Sequence, residues 1–221
     1  MKSWYRNMTG VFLSGALMMS GHAVASDDGM YEVTVTNITQ GTIFTPVMVA
    51  THQRGLKLFE LGAAASNELE QLAEGGNTAP LSGLLESQGA HDVVTGDGVL
   101  PPGHSVTLMV NVDDDHRYLS VASMLVPTND AFFAVNGMRG PGKHKSKTFL
   151  VPAYDAGTET NDELCVSIPG PPFICAGEGY NPNSGEGYVY IHPGIQGNGN
   201  LEPAGLDWNN PVAKVTVKFV K

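Results

Sequence analysis

The sequence is short of basic side chains, thiols, tryptophan and long apolar runs. Its 12 Lys and Arg stand against 22 Asp and Glu, a formal charge of −10. A surface this acidic repels phosphate backbones, so nucleic acid is not an expected partner, and an anionic bilayer would need a bridging cation. No stretch reaches the roughly 18 consecutive apolar residues of a membrane-spanning helix. His52, His91, His104, His116, His144 and His192 never fall at a spacing such as His-x-x-x-His. They read as surface and turn residues, not as a transition-metal set. There is no Gly-x-Ser-x-Gly elbow and no glycine-rich phosphate loop entering a helix. A Ser-His-Asp arrangement assembled from distant residues stays open. Trp4 and Trp208 are the only tryptophans, too few to line a sugar-stacking cleft.

The two cysteines, Cys165 and Cys175, enclose a short segment containing three prolines. The start of the chain decides how they are read. Lys2 and Arg6 precede an apolar stretch over residues 11–19, and Ala23-Val24-Ala25 follows. That is the pattern of a secretory signal over residues 1–25, with a single domain expected over residues 26–221. Loss of the leader removes two basic and no acidic residues, taking the formal charge from −10 to −12. Export to a periplasm or to the cell exterior makes a Cys165–Cys175 disulfide the expectation.

Glycine (27) and proline (14) are plentiful, and strand patterns run between them. Alternation is clear at residues 31–37, 106–112 and 211–220, and residues 118–126 are apolar nearly throughout. Further runs lie at 44–50, 132–138, 147–151 and 187–192. About eight strands separated by turns predict an all-β fold, an antiparallel β-sandwich. Two short helices are expected in an insertion at residues 66–74 and 79–87, the second capped by Thr78, together closing one end of the sandwich. Two long loops, near residues 156–186 and 194–210, have the length of functional segments.

One six-residue pattern occurs twice. Leu125-Val126-Pro127-Thr128-Asn129-Asp130 is echoed by Leu150-Val151-Pro152-Ala153-Tyr154-Asp155. Each copy reads as a strand stopped by proline with a carboxylate just beyond. If residues 132–138 run back between them as a meander, both aspartates emerge at one rim. Gly157 lets the chain bend so that Glu159 faces the same point. Asp130, Asp155 and Glu159 thus form a candidate site for a hard cation, which takes six to eight oxygens when it is Ca2+. The competing reading is that the aspartates cap turns. Asp113-Asp114-Asp115 is a rival acidic cluster that reads as a solvated loop, and Asp162 and Glu163 are candidate outer ligands. Of Phe132 and Phe133, alternation sends one to the core and one outward, where it would contact either a second layer or a partner.

These segments resemble a known family. Residues 118–130, ending Ser123-Met124-Leu125-Val126-Pro127-Thr128-Asn129-Asp130 and followed by Phe132-Phe133, are similar to the signature of the spondin N-terminal (F-spondin) domain. Tyr154-Asp155-Ala156-Gly157-Thr158-Glu159 resembles that domain's Asp-Ala-Gly-Thr-Asp segment. Residues 31–39 and Phe44-Thr45-Pro46 resemble its first two strands as found in bacterial exported proteins. The resemblance extends over residues 30–220. It implies a calcium- and lipid-binding type of β-sandwich, a Ca2+ ion held by Asp130, Asp155 and Glu159, and a non-catalytic role in recognition or adhesion toward a protein or cell-surface ligand. Two departures stand out: Ala131 replaces the usual aromatic, and Glu159 replaces an aspartate. The thrombospondin-type repeats that accompany the domain in animal matrix proteins are not in this sequence. The alternatives are an exported hydrolase, for instance a glycosidase using the same carboxylates, and a purely structural envelope protein.

Overall fold

Alternation in the sequence becomes alternation in burial. Tyr31, Val33 and Val35 are fully buried on β1 (Gly29–Asn37), while Glu32, Thr34 and Thr36 are not. The computed structural model describes residues 28–170, 174–177, 179–181 and 185–220; the expected leader lies outside them. After β1 the chain forms β2 (Ile43–Phe44), β3 (Met48–His52), α1 (Asn67–Gly75), α2 (Ala79–Ser87), β4 (Asp92–Thr95), β5 (Ser105–Val112) and β6 (Tyr118–Val126). It continues with β7 (Ala131–Arg139), β8 (Ser146–Val151), β9 (Ala153–Asp155), β10 (Tyr190–Ile191), α3 (Pro203–Leu206) and β11 (Ala213–Val220). The long loops hold no further strand among the described residues.

These strands build two antiparallel sheets, one ordered β5-β1-β11-β8 and the other β10-β9-β7-β6-β3-β4, with β2 paired to β6. The fold is the expected all-β sandwich. Among the described residues eleven strands replace the expected eight, because residues 44–50 split between β2 and β3, while β4 and β9 are too short to show alternation.

The inner faces of both sheets meet in one core, which includes Val33, Val35, Phe44, Val121, Phe133, Val215 and Val217. The outer face of the four-stranded sheet meets water. Cross-strand hydroxyl pairs line it: Thr34 with Thr107, Thr36 with Ser105 and Thr148 with Thr216. The larger sheet is covered on both faces, which is why β6 is buried over nearly its whole length.

Its outer cover is the helical pair. Leu69, Leu72, Leu81 and Leu85 pack with Met48, Ala50, Ala122 and Phe132. The helices therefore lie on a sheet face, not across an end of the sandwich, because the outward side chains of β3, β6 and β7 are apolar and demand a layer. The outward phenylalanine, Phe132, is as fully buried as Phe133 and forms no partner surface. Ser66 caps α1 by accepting from the Leu69 N–H at 3.2 Å. Thr78 occupies the cap position of α2 but makes no side-chain cap bond; instead Asn77 Oδ1 accepts from the Ala79 N–H at 3.3 Å.

Pro152 is the point where the chain changes sheets. β8, before it, pairs with β11, whereas β9, after it, pairs with β7. The expected three-stranded meander is thus incorrect in its last member. Three residues of β9 do the work assigned to residues 147–151.

Candidate metal centre

The β7–β9 ladder sets the site. Ala131 is the register partner of Asp155, so Asp130, one residue before β7, lies next to Asp155 at the end of β9. On the far side, Asp155 is the register partner of Tyr190 in β10. Both aspartates are fully buried, and Glu159 is 5% exposed.

The Asp130 carboxylate is only partly used, whereas both oxygens of Asp155 accept hydrogen bonds. Asp130 Oδ2 accepts from the Thr158 N–H at 2.8 Å, the Glu159 N–H at 3.1 Å and the Thr158 hydroxyl at 3.3 Å. Asp130 Oδ1 is buried and accepts no hydrogen bond. Asp155 Oδ1 accepts from the Gly157 N–H at 2.8 Å, and its Oδ2 accepts from the Asn161 amide at 2.6 Å. The same amide reaches the Tyr190 hydroxyl at 3.1 Å.

The turn that delivers these amides depends on Gly157. Its φ is +68°, and a Cβ there would stand 2.2 Å from the Tyr188 carbonyl oxygen. Only glycine meets both conditions.

Electrostatically the pair is costly without a counter-charge. Burial, and then the neighbouring Asp155 charge, push the Asp130 carboxyl well above the ordinary carboxylate value; its amide hydrogen bonds from Glu159 and Thr158 oppose this. Asp155 is also raised by burial, against the hydrogen bond from Asn161. Burial and then the Asp155 charge raise the Tyr190 phenol. Among the described residues no lysine or arginine is ion-paired with either aspartate. His192 Nε2 lies 3.8 Å from Asp155 Oδ2. It supplies no charge, because burial lowers its pKa to about 4 and its Nδ1 accepts from the Gly194 N–H. The two groups are neighbours, not an ion pair.

Asp130 and Asp155 therefore converge. Glu159 is brought in by its backbone: its N–H binds Asp130. Among the described residues, the one set of three His, Cys, Asp or Glu ligand atoms gathered within 4.8 Å is elsewhere, at His91, Asp113 and His116. Asp162 and Glu163, the candidate outer ligands, fasten loops. Asp162 accepts from Asn129, Leu164 and Ser167. The two carboxylate oxygens of Glu163 accept from the Gln196 and Asn198 N–H groups. Asn161 and Tyr190 carry no mark in the sequence as neighbours of the site: Asn161 lies in a loop, and Tyr190, within the expected strand at 187–192, meets Asp155 only through the β9–β10 register. Glu74 on α1 carries no such mark either. It is buried, accepts from the Asn181 N–H at 2.9 Å, and lies beside Thr158, which ties the helical layer to the site.

The expected disulfide is present, joining Cys165 to Cys175 in the loop that follows this site. The histidines beyond residue 25 are not all superficial: His52 and His192 are buried.

The family model Spondin_N matches residues 36–164. The chain belongs to the Spondin_N family. The matched span is shorter than the resemblance read over residues 30–220, but it contains β2 to β9 and with them Asp130, Asp155 and Glu159. No curated protein matches the chain. In this Spondin_N member the unbonded Asp130 Oδ1, beside a second buried carboxylate, is a fit for a cation that prefers oxygen ligands.

Proposed function

We propose that this Spondin_N chain is an exported recognition module, without catalytic activity, that binds one Ca2+ ion at the Asp130–Asp155 rim. One observation carries the reading: two fully buried carboxylates lie side by side, and one retains an oxygen that accepts no hydrogen bond. Two such charges are stable together only if a proton or a cation neutralises them. Asp130 and Asp155 are the primary ligands, and Glu159 reaches the ion by rotation of its longer arm. Backbone carbonyls of residues 156–159 and water complete the oxygen shell that calcium requires. The ion then fixes the loop after β9 instead of activating a substrate.

The surface around the rim supports recognition. Leu164, Val166, Tyr188 and Ile191 are exposed on segments that emerge from this site. Exposed apolar residues beside a cation-ordered loop offer a protein or cell-surface ligand a contact area. The disulfide and the family point to an oxidising compartment, either periplasmic or extracellular. No helix among the described residues is long and apolar enough to cross a membrane.

The experiment is retention of cells or envelope fragments on beads carrying the protein. Retention in Ca2+, released by chelator and absent for Asp155→Asn and for Val166→Asp, is the expected result. Equal retention with and without Ca2+, or none in either, overturns the recognition role.

A further inference from the structure

At the opposite end of β6 from Asp130, two histidines and an aspartate meet. His91 precedes β4, while Asp113 and His116 lie in the turn between β5 and β6. The edge strand is pinned so that they face one another. The Asp92 carboxylate accepts both the Asn111 N–H and the Asn111 side-chain amide at 2.7 Å, and the His91 N–H donates to the Thr51 carbonyl at 2.8 Å. His91 is thereby held above the turn. Its ring stacks on that of His116, with centroids 5.0 Å apart and planes 16° from parallel.

Both imidazoles bring Nδ1 to the Asp113 carboxylate, His116 sharing it between Oδ1 at 2.8 Å and Oδ2. Asp113 Oδ2 is 2.9 Å from His116 Nδ1 and 3.4 Å from His91 Nδ1. The other oxygen, Oδ1, is held by the N–H groups of Asp115 and His116 at 2.9 and 2.8 Å. One ligand atom from each of the three residues falls within 4.8 Å of the other two. The neighbouring Asp114 is taken up by Arg117 and is not part of the set.

We infer that His91, Asp113 and His116 form a second metal site, one for a borderline divalent transition ion such as Zn2+. Two imidazole nitrogens and one carboxylate oxygen are the donors such ions take, and calcium, an oxygen-seeking ion, does not compete for them. Three protein ligands leave a coordination position open. The side chains retain 33%, 26% and 19% exposure, so that position faces water and accepts a donor atom from outside the chain. Ligand–metal bonds of about 2.0–2.1 Å require the present N–O contacts to open by only a few tenths of an ångström. β6 spans roughly 26 Å at the usual rise per residue, so this site loads independently of the Asp130–Asp155 rim.

The test is titration of the full chain, purified without a polyhistidine tag and held in excess Ca2+, with Zn2+ followed by calorimetry. The expected result is one saturable equivalent, weakened at least about tenfold in His91→Ala and unchanged in His104→Ala, which removes an exposed imidazole elsewhere, and in Asp155→Asn. Co2+ bound at the same stoichiometry should show a d–d spectrum that disappears in His91→Ala. His91 is exposed, so its replacement is expected to leave the melting temperature unchanged. Absence of saturable Zn2+ binding, equal binding by His91→Ala, or loss of binding in Asp155→Asn overturns the assignment.

Discussion

Ala131 stands opposite Asp155 in the β7–β9 ladder, and that single register places Asp130 and Asp155 side by side in a buried corner. The strain of this arrangement is electrostatic. It makes the site testable through variants that change charge without changing shape.

Asp130→Asn keeps an oxygen for the Thr158 and Glu159 amides, which bind one side of the carboxylate, and it removes the charge beside Asp155. The variant should melt in chelator at or above the wild-type temperature. It should also lose the upward shift that Ca2+ gives the wild type, a shift worth about 2.7 kcal/mol at a hundredfold excess over Kd. Thermal melts in Ca2+ and in chelator check both halves.

Acidity should act oppositely on two buried groups. Without Ca2+, Asp130 titrates well above 3.8, so the folded state keeps a proton that the unfolded chain releases. Its contribution is present at low pH and is lost as pH rises through the raised pKa. His192 titrates near 4 instead of 6.5, so its contribution is present above 6.5 and is lost as pH falls toward about 4. Bound Ca2+ holds Asp130 ionised, after which acid weakens the fold through both groups. The gap between melting temperatures in Ca2+ and in chelator should therefore close as pH falls from about 7 to about 4.

Gly157→Ala forces a Cβ to within 2.2 Å of the Tyr188 carbonyl at a φ of +68°. The expected cost exceeds about 1 kcal/mol in denaturant unfolding. Ca2+ binding should weaken with it, since the Asp155 Oδ1 bond to the residue 157 N–H depends on this turn. An alanine variant with wild-type stability and calcium affinity would show that the turn is free to relax.

The disulfide closes a loop with a sequence separation of 10, worth about 2–3 kcal/mol in the chain-entropy account. Asp162, already fastened to Asn129 and Ser167, separates that loop from the aspartates. Replacing both cysteines by alanine should lower stability by about that amount and change calcium affinity little. Urea unfolding and a calcium titration of the same variant test the separation.

How much of this was legible follows from signal length. Eight or nine residues of alternation make β1, β5 and β11 plain, and the apolar run of β6 marks a strand covered on both faces. Three residues, as in β9, leave no period, and β9 is the strand that carries Asp155; the run at 187–192 does mark β10, which shortens to two residues. Pro152 reads as the end of a strand; that it also moves the chain to the other sheet depends on β11 arriving as partner for β8. The two aspartates were found because their flanking pattern repeats. Asn161 and Tyr190 come from a loop and a distant edge strand, so nothing local marks them. His91 and His116 sit in separate turns and meet only because β4 and β5 are pinned together by Asp92.

Calcium binding turns on Asp130, and calorimetric titration of the full chain with Ca2+ in two buffers of different ionisation enthalpy reads this out. One ion per chain is expected, with a proton release that grows as the pH is lowered because the Asp130 carboxyl is raised by burial, and with loss of both in Asp130→Asn. Absence of saturable Ca2+ binding, or binding that survives in Asp130→Asn, would contradict it.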